Sequence, residues 1–426
     1  MMYLIALCIA VGLGILTLRL ILRTKQPSYL DLFLGAALGF GIVGQIIFYL
    51  QLLGNNFNHF LPPVFSLILL GILIVLNKSK KTTPLKFSKN LSLLILPLLA
   101  IVLWMEANYY PLGGWDAWSC WNLKAKFIYL GAEQWKDMLA PNLWRSNTNY
   151  PLALPTITVW FWHWTGFSQS SAMFNAVVLT LLTAGVLLLG LQEFKVSKKI
   201  SILITVAVFT LALGNTLSIS QYSDMLSSLF LLCAFICYLL SVEQKNDRWL
   251  ILSAIFAGLL SFTKNEGLVA SGLFALLVLY LKPQKPFQFI SILLAAALPM
   301  VIFSLGMAPH NEAFINGLTS ASKPSTLARL QYVLLYPLVE FIGLQWGGLW
   351  ICAAAALIIS GQRAIKKPLI ILGLFIVGYL GIVLVYYQIN TFFEIDWWMK
   401  NTLNRILFAL MPTVFLWVGL SLKTND

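Results

Sequence analysis

Residues 91–106, LSLLILPLLAIVLWME, carry one charged side chain, Glu106, at the last position. A helix rises about 1.5 Å per residue, so a run of this kind with its flanks approaches the roughly 20 residues that cross a bilayer. The same texture recurs outward in both directions: at 2–22, 31–53 and 61–76 before it, and at 172–191, 200–218, 224–241, 249–262, 267–281, 287–307, 333–359, 368–388 and 403–422 after it. Apolar and polar residues do not alternate within these runs, which excludes the strand pattern of an outer-membrane barrel. The chain of 426 residues is 59% hydrophobic and 10% charged, with mean hydropathy +0.84. Soluble domains carry about a quarter charged residues. The fold class expected is therefore an all-α polytopic membrane protein with about 13 transmembrane helices.

The net charge of +13 would point to nucleic acid in a soluble protein. Here the basic residues mark topology instead, and no nucleic-acid partner is expected. Alternating from an outer N-terminus, one set of connectors holds Arg23 and Lys25; Lys78, Lys80, Lys81, Lys86 and Lys89; Lys195, Lys198 and Lys199; Lys245 and Arg248; Lys282 and Lys285; Arg363, Lys366 and Lys367; and Lys423. The other set is longer and poorer in Lys and Arg, so the first is assigned to the cytoplasm. The N-terminus is then outside and the C-terminus inside. Several acids, Glu106, Asp116, Asp224, Glu266, Glu312 and Glu394 among them, fall in or near the outer set. The runs 249–262 and 267–281 are read as a hairpin around Lys264-Asn265-Glu266; being short, they could also be a re-entrant pair or one interrupted helix, and the single helix would invert everything after it. Five scattered cysteines form no disulfide framework.

One connector is much longer than the rest, residues 107–171. It holds Gly113–Trp135, GGWDAWSCWNLKAKFIYLGAEQW. Tryptophan favours the membrane–water boundary, so interfacial helices lying on the outer surface are expected here. Helical spacing puts Trp118, Trp121 and Ala125 on one face and Asp116, Cys120, Leu123 and Phe127 on another. A second piece, Tyr150 to Trp164, reads as half buried.

The candidate site residues are ionisable groups at the outer ends of apolar runs. Asp116 precedes a helical run, where it either caps the helix or serves as a catalytic carboxylate. Asp224, in SQYSD, offers the same two readings. Lys264 and Glu266 interrupt two apolar runs, a costly position that marks either an ion pair or a site. Arg405 either snorkels to the interface or grips a phosphate with its fork of donors. Lys124 and Lys126 either snorkel or meet substrate. His163, among tryptophans, is either a packed side chain or a substrate contact.

These residues sit in a familiar order. Gly114-Trp115-Asp116-Ala117-Trp118 with Asn122-Leu123-Lys124-Ala125-Lys126, then Tyr150-Pro151-Leu152, Tyr222-Ser223-Asp224, Thr263-Lys264-Asn265-Glu266-Gly267, and a last helix with Arg405 and Pro412 together resemble the C-superfamily of integral-membrane glycosyltransferases. The resemblance is to the bacterial branch related to protein O-mannosyltransferases and lipid A aminoarabinose transferases. It covers about residues 91–422, leaving 1–90 as extra N-terminal transmembrane helices and no soluble C-terminal domain. It implies an enzyme of a bacterial inner or plasma membrane that takes a sugar from a polyprenyl-phosphate donor and inverts the anomeric centre. The acceptor would be a glycan, lipid or protein on the outer face. Carried over by position, Asp116 would be the catalytic base or orienting carboxylate. Asp224 would line the cavity, and Lys264 and Arg405 would neutralise the leaving phosphate. Tyr222, Lys124, Glu266, Tyr150 and His163 would contact substrate. Some relatives use a divalent metal through an Asp-x-Asp motif; the single Asp116 here implies no metal and no other cofactor. Two other readings compete: a polysaccharide polymerase or ligase, and a non-enzymatic lipid or glycan transporter or flippase, which would favour repeated halves and a charged path across the bilayer.

Overall fold

The computed structural model describes residues 1–23, 28–54, 59–78, 90–211, 213–310, 315, 319 and 327–423. Lys25, Lys80, Lys81, Lys86, Lys89 and Glu312, which entered the topology reading, lie outside these. Among the described residues the chain is helical without strands. Eight helices among the described residues are long and apolar enough to cross a membrane. They are α1 (Met2–Leu22), α2 (Tyr29–Leu52), α3 (Leu61–Lys78), the run Leu91–Tyr109 that contains α4 (Ile95–Tyr109), α7 (Gln169–Glu193), α10 (Ser223–Glu243), α18 (Ile370–Ile389) and α19 (Ile395–Ser421). The pair α13 (Pro286–Ala296) and α14 (Leu298–Gly306), bent by 54°, makes a ninth if it is one span. Pro299 opens α14 without an N–H to continue the ladder, which accounts for the bend.

Four of the expected spans, 200–218, 249–262, 267–281 and 333–359, are helices shorter than 18 residues. The first divides into α8 (Lys198–Thr210) and α9 (Leu213–Ser218). The last divides into α15 (Leu327–Ile342) and α16 (Leu349–Ser360), followed by the short α17 (Gln362–Ile365): the path turns extended at Gly343, makes a 3-10 turn over Leu344–Trp346, and passes through Gly347 and Gly348 at positive φ before α16 starts. The middle two are α11 (Asp247–Ser261) and α12 (Asn265–Tyr280). Ser253 on α11 donates to the Ala234 carbonyl of α10, and Phe274 on α12 packs at 4.8 Å on Phe235 of α10. With Lys264 held at Asp224 near the start of α10, α11 arrives at that end and α12 departs from it, and both reach the middle of α10: they form a hairpin with Lys264 at its tip.

Burial sorts the helices into two populations. Nearly all of α10 is buried, as are most of α2, α7 and the second half of α19. In contrast α3 and α4 turn Leu67, Ile68, Leu98 and Ile101 outward, and α18 does the same with Val377 and Val385. Long helices that expose apolar stripes around a buried apolar centre have lipid as their natural surroundings. With no water to drive them together, such helices gain most from close backbone contact at small residues. Helices α1 and α2 meet this way: a methyl group at Gly39 would collide with the Ala10 carbonyl oxygen, and one at Gly14 with Gly35. Gly39→Ala is expected to cost about 1–3 kcal/mol through overpacking. Gly71→Ala on α3, where a methyl meets nothing within 4 Å, should leave the thermal midpoint in detergent unchanged. Equal midpoints for the two variants would contradict this account of the α1–α2 contact.

The long connector is not laid on a surface throughout. Its helix α6 (Ala153–Thr165) is buried from Ala153 to Trp162, where half burial was expected, and Trp160 donates its indole N–H to the Ala6 carbonyl of α1. In the Gly113–Trp135 stretch Trp115 and Trp118 are exposed, while Trp121 and Trp135 are in the core. Trp118 and Trp121 thus do not share a face. The cause is a π-helical turn over Ala117–Trp121, which widens the helix by one residue before α5 (Asn122–Leu130) and shifts the register that simple helical spacing assumes.

Candidate active site

Four separate segments meet at the end of the bundle that carries the long connector. The chain leaves α4 through Gly113, at φ 70°, and Gly114, whose N–H donates to the Ser220 carbonyl at 3.0 Å. Gln221 donates its side-chain amide to the Pro111 carbonyl at 3.0 Å and accepts from Asn122 at 2.8 Å. These bonds fasten the start of the connector to the start of α10. A side chain at Gly114 would overlap the Tyr222 hydroxyl, so the Gly114-Trp115-Asp116 motif needs its glycine for close approach. The Tyr222 hydroxyl in turn receives the Asp116 backbone N–H at 3.4 Å.

Asp116 does not cap its helix with its side chain. Its Oδ2 accepts from Arg405 Nη1 at 2.6 Å, reaching from the connector to α19. Arg405 does not snorkel outward either. Its side chain is 13% exposed, its Nε and Nη2 donate to Asp224 Oδ2 at 3.2 and 3.0 Å, and its guanidinium lies 4.2 Å from the centre of the Tyr222 ring. Asp224, in the first turn of α10, makes no cap bond; its other oxygen accepts from Lys264 Nζ at 3.0 Å. Lys264 stands in extended conformation between α11 and α12 and lies 3.5 Å from Glu266 Oε1. Tyr150 donates to the same Glu266 oxygen at 3.4 Å. The result is one continuous circuit, Asp116–Arg405–Asp224–Lys264–Glu266, of three carboxylates and two cations. Cations shared between carboxylates in low dielectric form strong, shape-defining contacts.

The hairpin tip is set by hydroxyl groups. Ser223 donates to the Thr263 carbonyl at 2.8 Å, and the Ser227 and Thr263 hydroxyls are 2.7 Å apart. They tie the break between α11 and α12 to α10 and so deliver Lys264 to Asp224. A narrow cavity opens beside the circuit, lined by Asp224, Lys264, Glu266 and Tyr379 on its polar side and by Leu231, Leu260, Ile406 and Leu410 on the other. A second, uncharged cavity lies across Tyr222, with Asn122, Thr158, Asn175 and Gln221 on its wall.

Lys124 is wholly buried rather than reaching the interface, and among the described residues it contacts no carboxylate. It donates to the Asn147 and Tyr150 carbonyls at 2.6 and 2.8 Å and sits 5.9 Å from the rings of Trp121 and Tyr150, which stack on each other. Burial pushes its pKa below the ordinary lysine value and pushes that of Tyr150 well above the usual phenol range. Lys124 therefore acts as a strut that holds the Tyr150 backbone in place, and Tyr150 is what reaches Glu266. Lys126 is exposed over the Phe167 ring. His163 stands apart from the circuit, ten residues along α6 from Ala153, a rise of about 15 Å. It packs on Tyr129 and His59; burial and then the neighbouring His59 push its pKa down to about 3, so it is uncharged at neutral pH.

The structure thus brings Asp116, Tyr222, Asp224, Lys264, Glu266, Arg405 and Tyr150 together and leaves Lys124 one contact behind them and His163 outside. Sequence reasoning missed Trp121 and Gln221, which hold the connector, and Tyr379, whose hydroxyl lies 3.5 Å from the Glu266 carbonyl oxygen. Trp121 and Gln221 each adjoin a quoted motif residue; Tyr379 lies inside an apolar run and gives no local signal. Among the described residues no three His, Cys, Asp or Glu side chains cluster as metal ligands would. Comparisons with family models, with curated proteins and with solved structures return no match.

Proposed function

We propose that the protein is an integral-membrane glycosyltransferase that moves a sugar from a polyprenyl-phosphate donor to an acceptor hydroxyl, with inversion, at the membrane face bearing the ion-pair circuit. One observation carries the reading. Residues drawn from positions 116, 224, 264 and 405, which the ordered motifs single out, share one unbroken set of contacts at the end of an apolar bundle. Two cations held together at that depth suit a phosphate: Arg405 presents a planar fork and Lys264 a point charge. When the bond between the anomeric carbon and the phosphate oxygen breaks, its electron pair moves onto the phosphate, and positioned cations stabilise that charge more in the transition state than in the ground state. Single displacement from the opposite side gives inversion. Asp116, bonded to Arg405 and placed by the Gly113-Gly114 turn, orients the reacting groups.

The orientation that accompanies this reading has about 13 passes, the N-terminus outside and the C-terminus in the cytoplasm. The test uses the full chain in liposomes supplied with a panel of undecaprenyl-phosphate hexoses and pentoses. Release of labelled sugar from the lipid to a hydroxyl acceptor is expected for at least one member, and no release from any of them would overturn the proposal. A cysteine at exposed Gln134, in a variant lacking the native cysteines, should react with an impermeant thiol reagent in intact cells. A cysteine at exposed Lys366 should react only after lysis.

A further inference from the structure

Within the circuit Glu266 is the acid least engaged by the protein. Asp116 is held at 2.6 Å by Arg405, and Asp224 uses both of its oxygens on cations. Glu266 Oε1 has two long contacts, 3.4 Å to the Tyr150 hydroxyl and 3.5 Å to Lys264. Its Oε2 is shielded from water and accepts no hydrogen bond, although the side chain lines the cavity beside the circuit. A shielded carboxylate oxygen without a donor is costly, and the natural relief is a donor brought by a ligand. Carboxylates accept only, so that ligand must offer O–H or N–H.

We infer that Glu266 receives the proton of the acceptor hydroxyl; this role rests on the glycosyltransferase reading. The hydroxyl donates to Oε2, and its proton passes there as its oxygen forms a bond to the anomeric carbon. The bond from that carbon to the phosphate oxygen breaks, and its electron pair leaves with the phosphate. Lys264 makes the transfer tolerable. As Glu266 becomes neutral, Lys264 keeps its closer partner Asp224 at 3.0 Å, so no cation is orphaned. Protonating Asp116 instead would sacrifice the shortest ion pair of the circuit. The charged and titratable groups facing Glu266 are Lys264, Tyr150 and Tyr379, with Tyr386 and Tyr387 of α18 within its electrostatic reach and Asp224 and Arg405 one contact further.

The experiment compares the full-length wild type with Glu266→Gln, which keeps shape and removes proton acceptance. Both are reconstituted in the same liposomes with the undecaprenyl-phosphate sugar panel. The variant is expected to lose about 10²–10³-fold in kcat, with KM for the donor and binding of undecaprenyl phosphate within about threefold. The acid limb of the kcat–pH profile should disappear, and Glu266→Asp should recover part of the rate. Size-exclusion profile and melting midpoint establish that each variant is folded; if Glu266→Gln is not, Glu266→Asp alone decides by its pH profile. Retention of more than about a tenth of wild-type kcat, or a loss of donor binding as large as the loss of rate, overturns the role of Glu266 while leaving the glycosyltransferase reading in place. A wild type that transfers from no donor overturns both.

Discussion

Arg405→Ala is expected to weaken binding of undecaprenyl phosphate by more than about 100-fold and to destabilise the protein at the same time. The two losses have one origin. Arg405 is the only described cation within ion-pair distance of Asp116, and it shares Asp224 with Lys264. Removing one partner of a buried pair leaves a charge without compensation, at about 3–5 kcal/mol. The lower half of that range is expected here, because the Asp116 side chain is 19% exposed and Asp224 keeps Lys264. Arg405→Lys should recover only part of either loss. A single ammonium cannot span Asp116 and Asp224 as the guanidinium does, nor cover the Tyr222 ring in the same way. Melting midpoints in detergent and equilibrium binding of undecaprenyl phosphate measure the two effects separately. Wild-type affinity in Arg405→Ala would remove the phosphate from the proposed mechanism.

Asp116→Asn is expected to lower sugar transfer by about 10²–10³-fold while leaving the fold and most of the donor affinity intact. Asparagine keeps the size of the side chain and can still present an oxygen to Arg405. The Gly114 and Tyr222 contacts that place the residue come from backbone and hydroxyl groups, which the substitution does not touch. What changes is the charge that holds the guanidinium and orients the reacting groups. Donor affinity should therefore fall less than in Arg405→Ala. Full transfer activity in Asp116→Asn would sink the assignment, and equal donor affinity in the two variants would refute the division of labour between them.

The helical, membrane-spanning character was legible because it depends on composition over many residues, as in LSLLILPLLAIVLWME. Positions of helix breaks were less so. The run 333–359 reads as one span, yet Gly347 and Gly348 interrupt it through backbone conformation that hydropathy does not register. The hairpin at Lys264 was readable because two charges interrupt an apolar run, and there the structure agrees with the reading. Site residues were legible as types, and each had a local explanation: caps for Asp116 and Asp224, snorkelling for Arg405 and Lys124. None of those explanations describes the side chains as they stand. The reason is that local sequence offers only near partners, whereas the partners chosen lie 289 and 181 positions away. The face reading of Trp118 and Trp121 failed for a smaller reason, a single extra residue in one helical turn.

The linked ion pairs also change what affinity means for this protein. With its cations already matched to its own carboxylates, the resting site imitates an occupied one. On the proposed function, an arriving phosphate enters by exchange, taking the place of Glu266, the loosest carboxylate at 3.5 Å, beside Lys264. Its binding constant then records a difference between two anions competing for the same donors. The same exchange frees Glu266 at the moment the donor is seated, so that loading the site and readying its proton acceptor become one event.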